Sequence, residues 1–262
     1  MNCDFHTHTG FSDDCNIPMD IMIEGAIKKG LKTLAITDHV DPGFPDPNIP
    51  FTLDFYNYHK CLLQAQSHYG HQLEILAGLE LGIMEGQFPV SKKIVNSFPY
   101  DIVIGSFHCL GKNDLYSYDF SDVDGPAMVE DFYSYMYRCL KSFQDYDILG
   151  HFSILDRYIG TLYDYGPCEE IIDEILRLMV VGGKGLEINT SNFRYHTGTW
   201  LPRGSILKRY RELGGEILTI GSDAHSPDYF QFHFEDAIPF AKSLGFRYYC
   251  EFRSRKPEFF TL

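Results

Sequence analysis

The chain begins Met-Asn-Cys and continues Asp4-Phe5-His6-Thr7-His8, placing two imidazoles one residue apart. Alternate side chains of an extended strand share a face, so His6 and His8 present their nitrogens together. Two such nitrogens leading into a loop make a compact start to a metal shell. Alone, a His-x-His pair is only suggestive, because a single strand histidine is commonly a hydrogen-bonded core residue. The combination recurs, however. Thr37-Asp38-His39, Gly78-Leu79-Glu80, Gly105-Ser106-Phe107-His108, Gly150-His151 and Ser222-Asp223-Ala224-His225 each lie at the end of an apolar run. Ser12-Asp13-Asp14, in the first loop, can return a carboxylate to the same place. An acid buried without a compensating partner is strongly disfavoured, and metal ions supply that partner directly. The pattern predicts a multinuclear metal site.

These residues can meet only if the elements that carry them converge. Seven short apolar runs read as strands, at 3–7, 33–37, 73–79, 102–106, 146–150, 185–189 and 216–221. Amphipathic stretches between and after them read as helices, at 20–29, 54–69, 90–96, 128–143, 169–180, 206–213 and 234–244. This alternation without a linker predicts one α/β domain over residues 1–262. An open doubly wound sheet would set the strand ends in a row, whereas a closed barrel gathers them around one mouth. Histidines and acids recur at nearly every strand end, so a seven-stranded, TIM-like (β/α)7 barrel is expected, with the metal site at its C-terminal mouth. Two loops, 42–50 with four prolines and 111–126 rich in Asp, Tyr and Ser, are placed to overhang that mouth.

Composition narrows the partners. The 262 residues carry 36 acidic and 22 basic side chains, a formal net charge of −14. No basic surplus exists to neutralise a nucleic acid backbone, which points to a small-molecule partner. The seven cysteines are scattered without a Cys-x-x-Cys pair, the usage of reduced thiols. No run is long and apolar enough to span a bilayer, and no basic stretch precedes an apolar one at the start. A cytoplasmic enzyme without a membrane partner is expected, and a homo-oligomer is compatible with the composition.

The motifs quoted above, in that order from residue 4 to about residue 245, resemble the polymerase and histidinol phosphatase (PHP) superfamily of metal-dependent phosphoesterases. The resemblance implies a distorted seven-stranded β/α barrel and three divalent ions. It places His6, His8, Glu80 and Asp223 on the first ion and Glu80, as a bridge, with His108 and His151 on the second. Asp14, His39 and His225 would hold the third, with Asp13 the alternative loop ligand. Mixed imidazole and carboxylate donors suit Zn, Mn or Fe better than Mg. Three such ions outweigh the charges of Asp14, Glu80 and Asp223, leaving a local positive centre for a phosphate within an acidic chain.

Two further segments are similar to the histidinol-phosphate phosphatase branch. Asp156-Arg157-Tyr158 follows Gly150-His151, and Arg194 follows Glu187-Ile188-Asn189-Thr190-Ser191. The branch implies that Arg157 and Arg194 grip the phosphate through paired hydrogen bonds. Glu187 would orient Arg194, meet a substrate ammonium, or be a structural acid paired with a nearby donor. The implied reaction is hydrolysis of L-histidinol phosphate to L-histidinol and phosphate, in histidine biosynthesis. A metal-held water would attack phosphorus, with Asp223, His225 or another metal-held water passing a proton to the leaving alcohol. Phe152-Ser153-Ile154 and Asn192-Phe193 depart from the branch, next to the pocket. Tyr195, His196 and Trp200 either line that pocket or pack within their own loop. The alternatives are another small phosphomonoester, or nucleotide phosphodiesterase or exonuclease activity on the same metals. A metal-binding module without catalysis is a third.

Overall fold

The apolar runs form one parallel sheet in the computed structural model, which describes residues 1–160, 162–195 and 197–262. Its strands are β1 (Cys3–Asp4), β2 (Thr33–Ile36), β3 (His39–Val40), β4 (Glu74–Gly82), β5 (Ile102–Ser106), β8 (Ile148–Leu149), β9 (Gly185–Asn189) and β10 (Leu218–Gly221). Hydrogen bonding follows the order β1-β2-β4-β5-β8-β9-β10, and β3 pairs with β4 beside that path. The two edges meet at the mouth, where Thr7 bridges Ala224 in parallel. There His8 N donates to Ala224 O at 2.9 Å and Ala224 N to His6 O at 3.2 Å. Seven parallel strands therefore form a nearly closed barrel. A small antiparallel hairpin of β6 (Cys109–Leu110) and β7 (Asn113–Asp114) projects after β5.

The helices surround it: α1 (Met19–Lys29), α2 (Phe55–Tyr69), α3 (Phe88–Val95), α4 (Gly125–Ser142), α5 (Leu155–Ile159), α6 (Glu169–Val181), α7 (Gly204–Glu212) and α8 (Phe234–Ser243). Helix α1 buries Met19, Met22, Ile23 and Ala26, an i, i+3, i+4, i+7 stripe. It ends at Gly30, whose φ of 90° lets its N–H return to Ala26 O. Asp54 and Asp124 start α2 and α4 by accepting from the N–H of Asn57 and Ala127. Helix α4 starts earlier than its apolar periodicity suggests because Pro126 fits a first helical turn. The expected loop 111–126 is shortened accordingly. Strand β4 runs past Glu80, since β3 pairs His39 with Glu80 and β5 pairs Ser106 with Gly82. Among the described residues, no helix is long and apolar enough to cross a membrane.

The far end of the barrel holds an element not expected from the sequence, the antiparallel hairpin of β11 (Tyr248–Arg253) and β12 (Lys256–Thr261). Tyr249, Cys250 and Phe252 of β11 bury against Phe5, Ala35, Leu76, Ile102 and Ile148 in one cluster. The turn clamps the N-terminal ends of the strands. Arg253 pairs with Glu74 on β4, Arg255 pairs with Asp147 before β8, and Ser254 N donates to Asp101 Oδ1 at 3.0 Å. Phe252 is 2% exposed and Phe259 on β12 is 48% exposed. Phe252→Ala is therefore expected to lower unfolding stability by about 3–5 kcal/mol, and Phe259→Ala by no more than about 0.5 kcal/mol. Denaturant titration of the metal-free protein checks this; equal effects would mean that the hairpin does not seal the barrel.

Candidate metal centre

Glu80 is wholly buried on β4, and imidazoles approach it from five directions. Its Oε2 lies 3.0 Å from His6 Nε2, 3.3 Å from His8 Nε2 and 3.2 Å from His39 Nδ1. Its Oε1 lies 3.1 Å from His108 Nε2 and 2.8 Å from His151 Nε2. Burial alone would raise the Glu80 pKa, but His39, His6 and His108 together hold it well below the usual carboxylate range. Asp223, beyond β10, adds Oδ1 at 3.8 Å from His6 Nε2 and 3.4 Å from His8 Nε2. Burial opposes its ionisation too, and His6, His8 and His225 prevail. Asp14 reaches over from the first loop, its Oδ2 3.1 Å from His225 Nε2 and 3.6 Å from His39 Nε2. Asp14 is thus the member of the Asp13-Asp14 pair that joins the cluster. His8 is pushed down to about 3 by burial and by His225 and His39, so it stays neutral and able to ligate. Against burial, Asp14 and Asp223 raise His225 to about 9.

The backbone is bent to bring these groups in. Asp223 has φ 54° and His151 φ 21°, left-handed conformations that cost a non-glycine residue about 1–3 kcal/mol. Both stand just past a strand end, where the chain turns at the mouth. At Gly221 a Cβ would lie 2.1 Å from Glu187 Oε1 and 2.6 Å from His6 Cβ, so glycine permits the approach of those two side chains.

A surrounding layer of acceptors sets the tautomers. Glu187 Oε1 accepts from His6 Nδ1 at 2.7 Å, Asp41 Oδ2 from His108 Nδ1 at 2.6 Å, and Ser12 Oγ from His8 Nδ1 at 3.2 Å. Ser12 in turn donates to Asp38 Oδ1 at 2.8 Å, and Asp38 also accepts from Thr9 N and Thr9 Oγ1. With each Nδ1–H anchored, the Nε2 lone pairs of His6, His8 and His108 face the centre. His6 Nε2, His8 Nε2, His39 Nδ1 and Glu80 Oε2 are buried without a hydrogen-bond partner. Unpartnered buried acceptors converging on one place call for a cation. Glu80 with His6 and His8, Glu80 with His108 and His151, and His8 with His39 and His225 each offer donor atoms within 4.8 Å of one another. The residues fit divalent metal binding.

All nine ligands expected from the sequence meet here. Arg157 and Arg194 share a cavity of about 690 Å³ with this cluster. Arg157 Nη2 donates to Ser191 Oγ at 2.5 Å and lies 3.9 Å from Asp223 Oδ2, its guanidinium over the Tyr195 ring at 4.3 Å. Arg194 Nη2 donates to Asp223 O at 2.9 Å and stacks over Tyr229 at 4.6 Å. Glu187 takes the place of a structural acid, away from Arg194. It is fully buried behind His6, accepts from His151 N at 2.9 Å, and neither lines the cavity nor pairs with Arg194. An apolar strand leaves its carboxylate no exposed partner, and the imidazole next to it takes that place. Trp200 packs on Phe193 and Phe240 at 4.5 and 4.8 Å, whereas Tyr195 lines the cavity; His196 lies outside the described residues.

Sequence reasoning missed the supports. Asp4 accepts from Ser222 N, Ser222 Oγ and Gln231 N, tying the start of the chain to the turn that carries Asp223. Burial raises Asp4 to about 6 despite those bonds. Asp41 stands two residues after His39, a spacing that could have marked it.

The PHP-domain family model matches residues 4–191 of the chain. The chain is 31% identical to a probable histidinol-phosphatase of Clostridium acetobutylicum over 254 residues, 94% of this chain and 95% of that one. It is 30% identical to the histidinol-phosphatase of Lactococcus lactis, over 97% and 95% of the two chains. The crystal structure of the Lactococcus lactis histidinol phosphate phosphatase with zinc, L-histidinol and phosphate superposes with a TM-score of 0.88 at 26% identity, covering 98% of each chain.

The anchoring layer has a measurable consequence. Glu187→Gln and Asp41→Asn are each expected to weaken metal retention about 10- to 100-fold while leaving the fold intact. Metal content after dialysis against graded chelator checks this, and retention equal to that of the unsubstituted protein would reduce both acids to packing roles.

Proposed function

The chain belongs to the PHP-domain family and is a phosphatase of the histidinol-phosphatase type, and from that premise we propose how its residues divide the reaction. It hydrolyses L-histidinol phosphate to L-histidinol and inorganic phosphate, a step of histidine biosynthesis that we place in the cytoplasm. One observation carries the assignment of roles: the Glu80-centred cluster and two arginines face the same cavity.

Three divalent ions, drawn from Zn, Mn and Fe, suit the donors. His6, His8, Glu80 and Asp223 hold one. Glu80 extends to a second with His108 and His151, and Asp14, His39 and His225 hold the third. When bound, such ions lower the pKa of water and neutralise phosphate oxygens. Arg157 and Arg194 fix the phosphate. A guanidinium has five N–H donors, and the hydrogen bonds to Ser191, Asn192, Ser222 O and Asp223 O leave donors free on each. Those contacts also hold the two side chains against Asp223, so phosphate geometry and cluster geometry are set together. Asp223 and His225 border the cavity; as ligands, with Asp223 held ionised, they can only relay a proton from water to the leaving alcohol. Phe44, Ile49 and Phe51 line the same space from the proline-rich segment after β3 and exclude water around the reacting phosphate.

The test compares kcat/KM on L-histidinol phosphate, an aryl phosphate and a nucleotide diester, with Mn or Zn returned after chelation. A large preference for L-histidinol phosphate is expected; preference for the diester would overturn the substrate assignment and leave a metallohydrolase. Arg157→Ala and Arg194→Ala should each lower kcat/KM by roughly 100-fold or more, as loss of a charge-stabilising donor does. Unchanged kinetics would remove them from the phosphate site. His108→Ala should lose both metal and turnover, whereas His71→Ala, at an exposed position, should keep both.

A further inference from the structure

Resting on that reading, the substrate presents three groups on one short chain: a phosphate, an ammonium and an imidazole. The metal cluster and the arginines answer the phosphate. The ammonium needs an anion that the cluster does not already occupy. Among the described residues, four carboxylates line the cavity: Asp14, Glu80, Asp114 and Asp223. Three of them face imidazoles at 3.8 Å or less. Asp114 does not belong to the cluster.

We propose that Asp114 is the specificity residue that pairs with the ammonium of the substrate. Its position is tied to the centre. It ends β7, where it pairs with Cys109, the residue after His108, and Leu115 N donates to His108 O at 3.0 Å. The hairpin therefore fixes Asp114 relative to one ligand of the cluster. Its carboxylate is held by the backbone, Oδ1 accepting from Tyr116 N at 2.8 Å and Oδ2 from Ser117 N at 3.2 Å. A carboxylate accepts about four hydrogen bonds, so both oxygens keep capacity for an ammonium. The residue is nearly buried, at 8% exposure, which limits competition from water. Tyr116 and Tyr158, edge to face at 6.4 Å, line the cavity beside it and offer aromatic surface to an imidazole.

The experiment uses the metal-loaded full chain and its Asp114→Asn variant. Asparagine keeps one acceptor oxygen, enough for the shorter bond from Tyr116 N, gives up the longer one from Ser117 N, and suits a turn; an unchanged thermal midpoint verifies that the hairpin persists. Both proteins are assayed on L-histidinol phosphate, on its deamino analogue 3-(imidazol-4-yl)propyl phosphate, and on an aryl phosphate. The variant should lose about 10- to 100-fold in kcat/KM on L-histidinol phosphate, the range of a hydrogen bond between charged groups, and nothing on the other two. An equal loss on the deamino analogue would show that Asp114 serves the imidazole or the scaffold, and would overturn the proposal. No loss on any substrate would overturn it as well. An unsubstituted enzyme without preference for L-histidinol phosphate over the aryl phosphate would instead overturn the substrate reading beneath it.

Discussion

One buried carboxylate organises this molecule. Glu80 is fully buried, and five imidazoles stand within 3.3 Å of its two oxygens. A lone carboxylate at such depth would be neutral, and a lone imidazole there would be deprotonated. Placed together, the imidazoles keep Glu80 ionised while His8 stays neutral, and the arrangement survives only while all the contributing strands stay in register. A one-residue slip of β4 would turn Glu80 out of the barrel and leave the imidazoles without their common partner. The cluster is thus a constraint on the whole sheet as well as a place for metals. The anchoring acids act in the same sense. Glu187, Ser12 and Asp41 stand outside the ring of imidazoles, so His6, His8 and His108 are gripped from behind by an anion or a hydroxyl and face the centre with the other nitrogen.

The two ends of the barrel divide the labour. At the mouth, His151 and Asp223 accept unfavourable backbone conformations so that ligands converge. At the opposite end the C-terminal hairpin packs aromatic side chains into the barrel and binds the starts of β4, β5 and β8 through Glu74, Asp101 and Asp147. Strain at one end is tolerable because the other end is tightly fixed. Asp4 links the two, reaching from the first strand to the turn that carries Asp223 and to the segment before α8.

Residues that do chemistry at strand ends were readable because few other roles put an imidazole or an acid after so many apolar runs. That reasoning located eight of the nine cluster residues and, through them, the barrel; Asp14, in the first loop, is preferred to Asp13 only by the family resemblance. It failed for residues whose role is decided by a distant neighbour. Glu187 sits in an apolar strand near Arg194 in sequence, and only the folded register shows His6 beside it, 181 positions away. Asp4 was visible as part of the first motif, but its partner Ser222 is 218 positions distant. The C-terminal hairpin escaped for a local reason. Ser254 and Arg255 adopt positive φ at its two-residue turn, with φ of 50° and 66°, where Asn-Gly or Asp-Gly would have signalled it. Helix α5 is too short for periodicity to show.

The charge distribution explains why an acidic protein can serve a dianionic substrate. At physiological ionic strength, exposed charges farther away than about 8 Å are largely screened. A phosphate inside the cavity therefore responds to Arg157, Arg194 and the metal-binding cluster, and little to the acids that give the chain its net charge of −14. A polyanion cannot separate the two. Its first phosphate could enter, but the chain carries no basic surplus to receive those that follow. A small substrate with one terminal phosphate and a cationic tail fits both halves of that field. The arginine side takes the phosphate, and the tail can remain beside a carboxylate without leaving the mouth of the barrel. The fit to a small phosphomonoester thus follows from where Arg157, Arg194 and the cluster stand in one cavity.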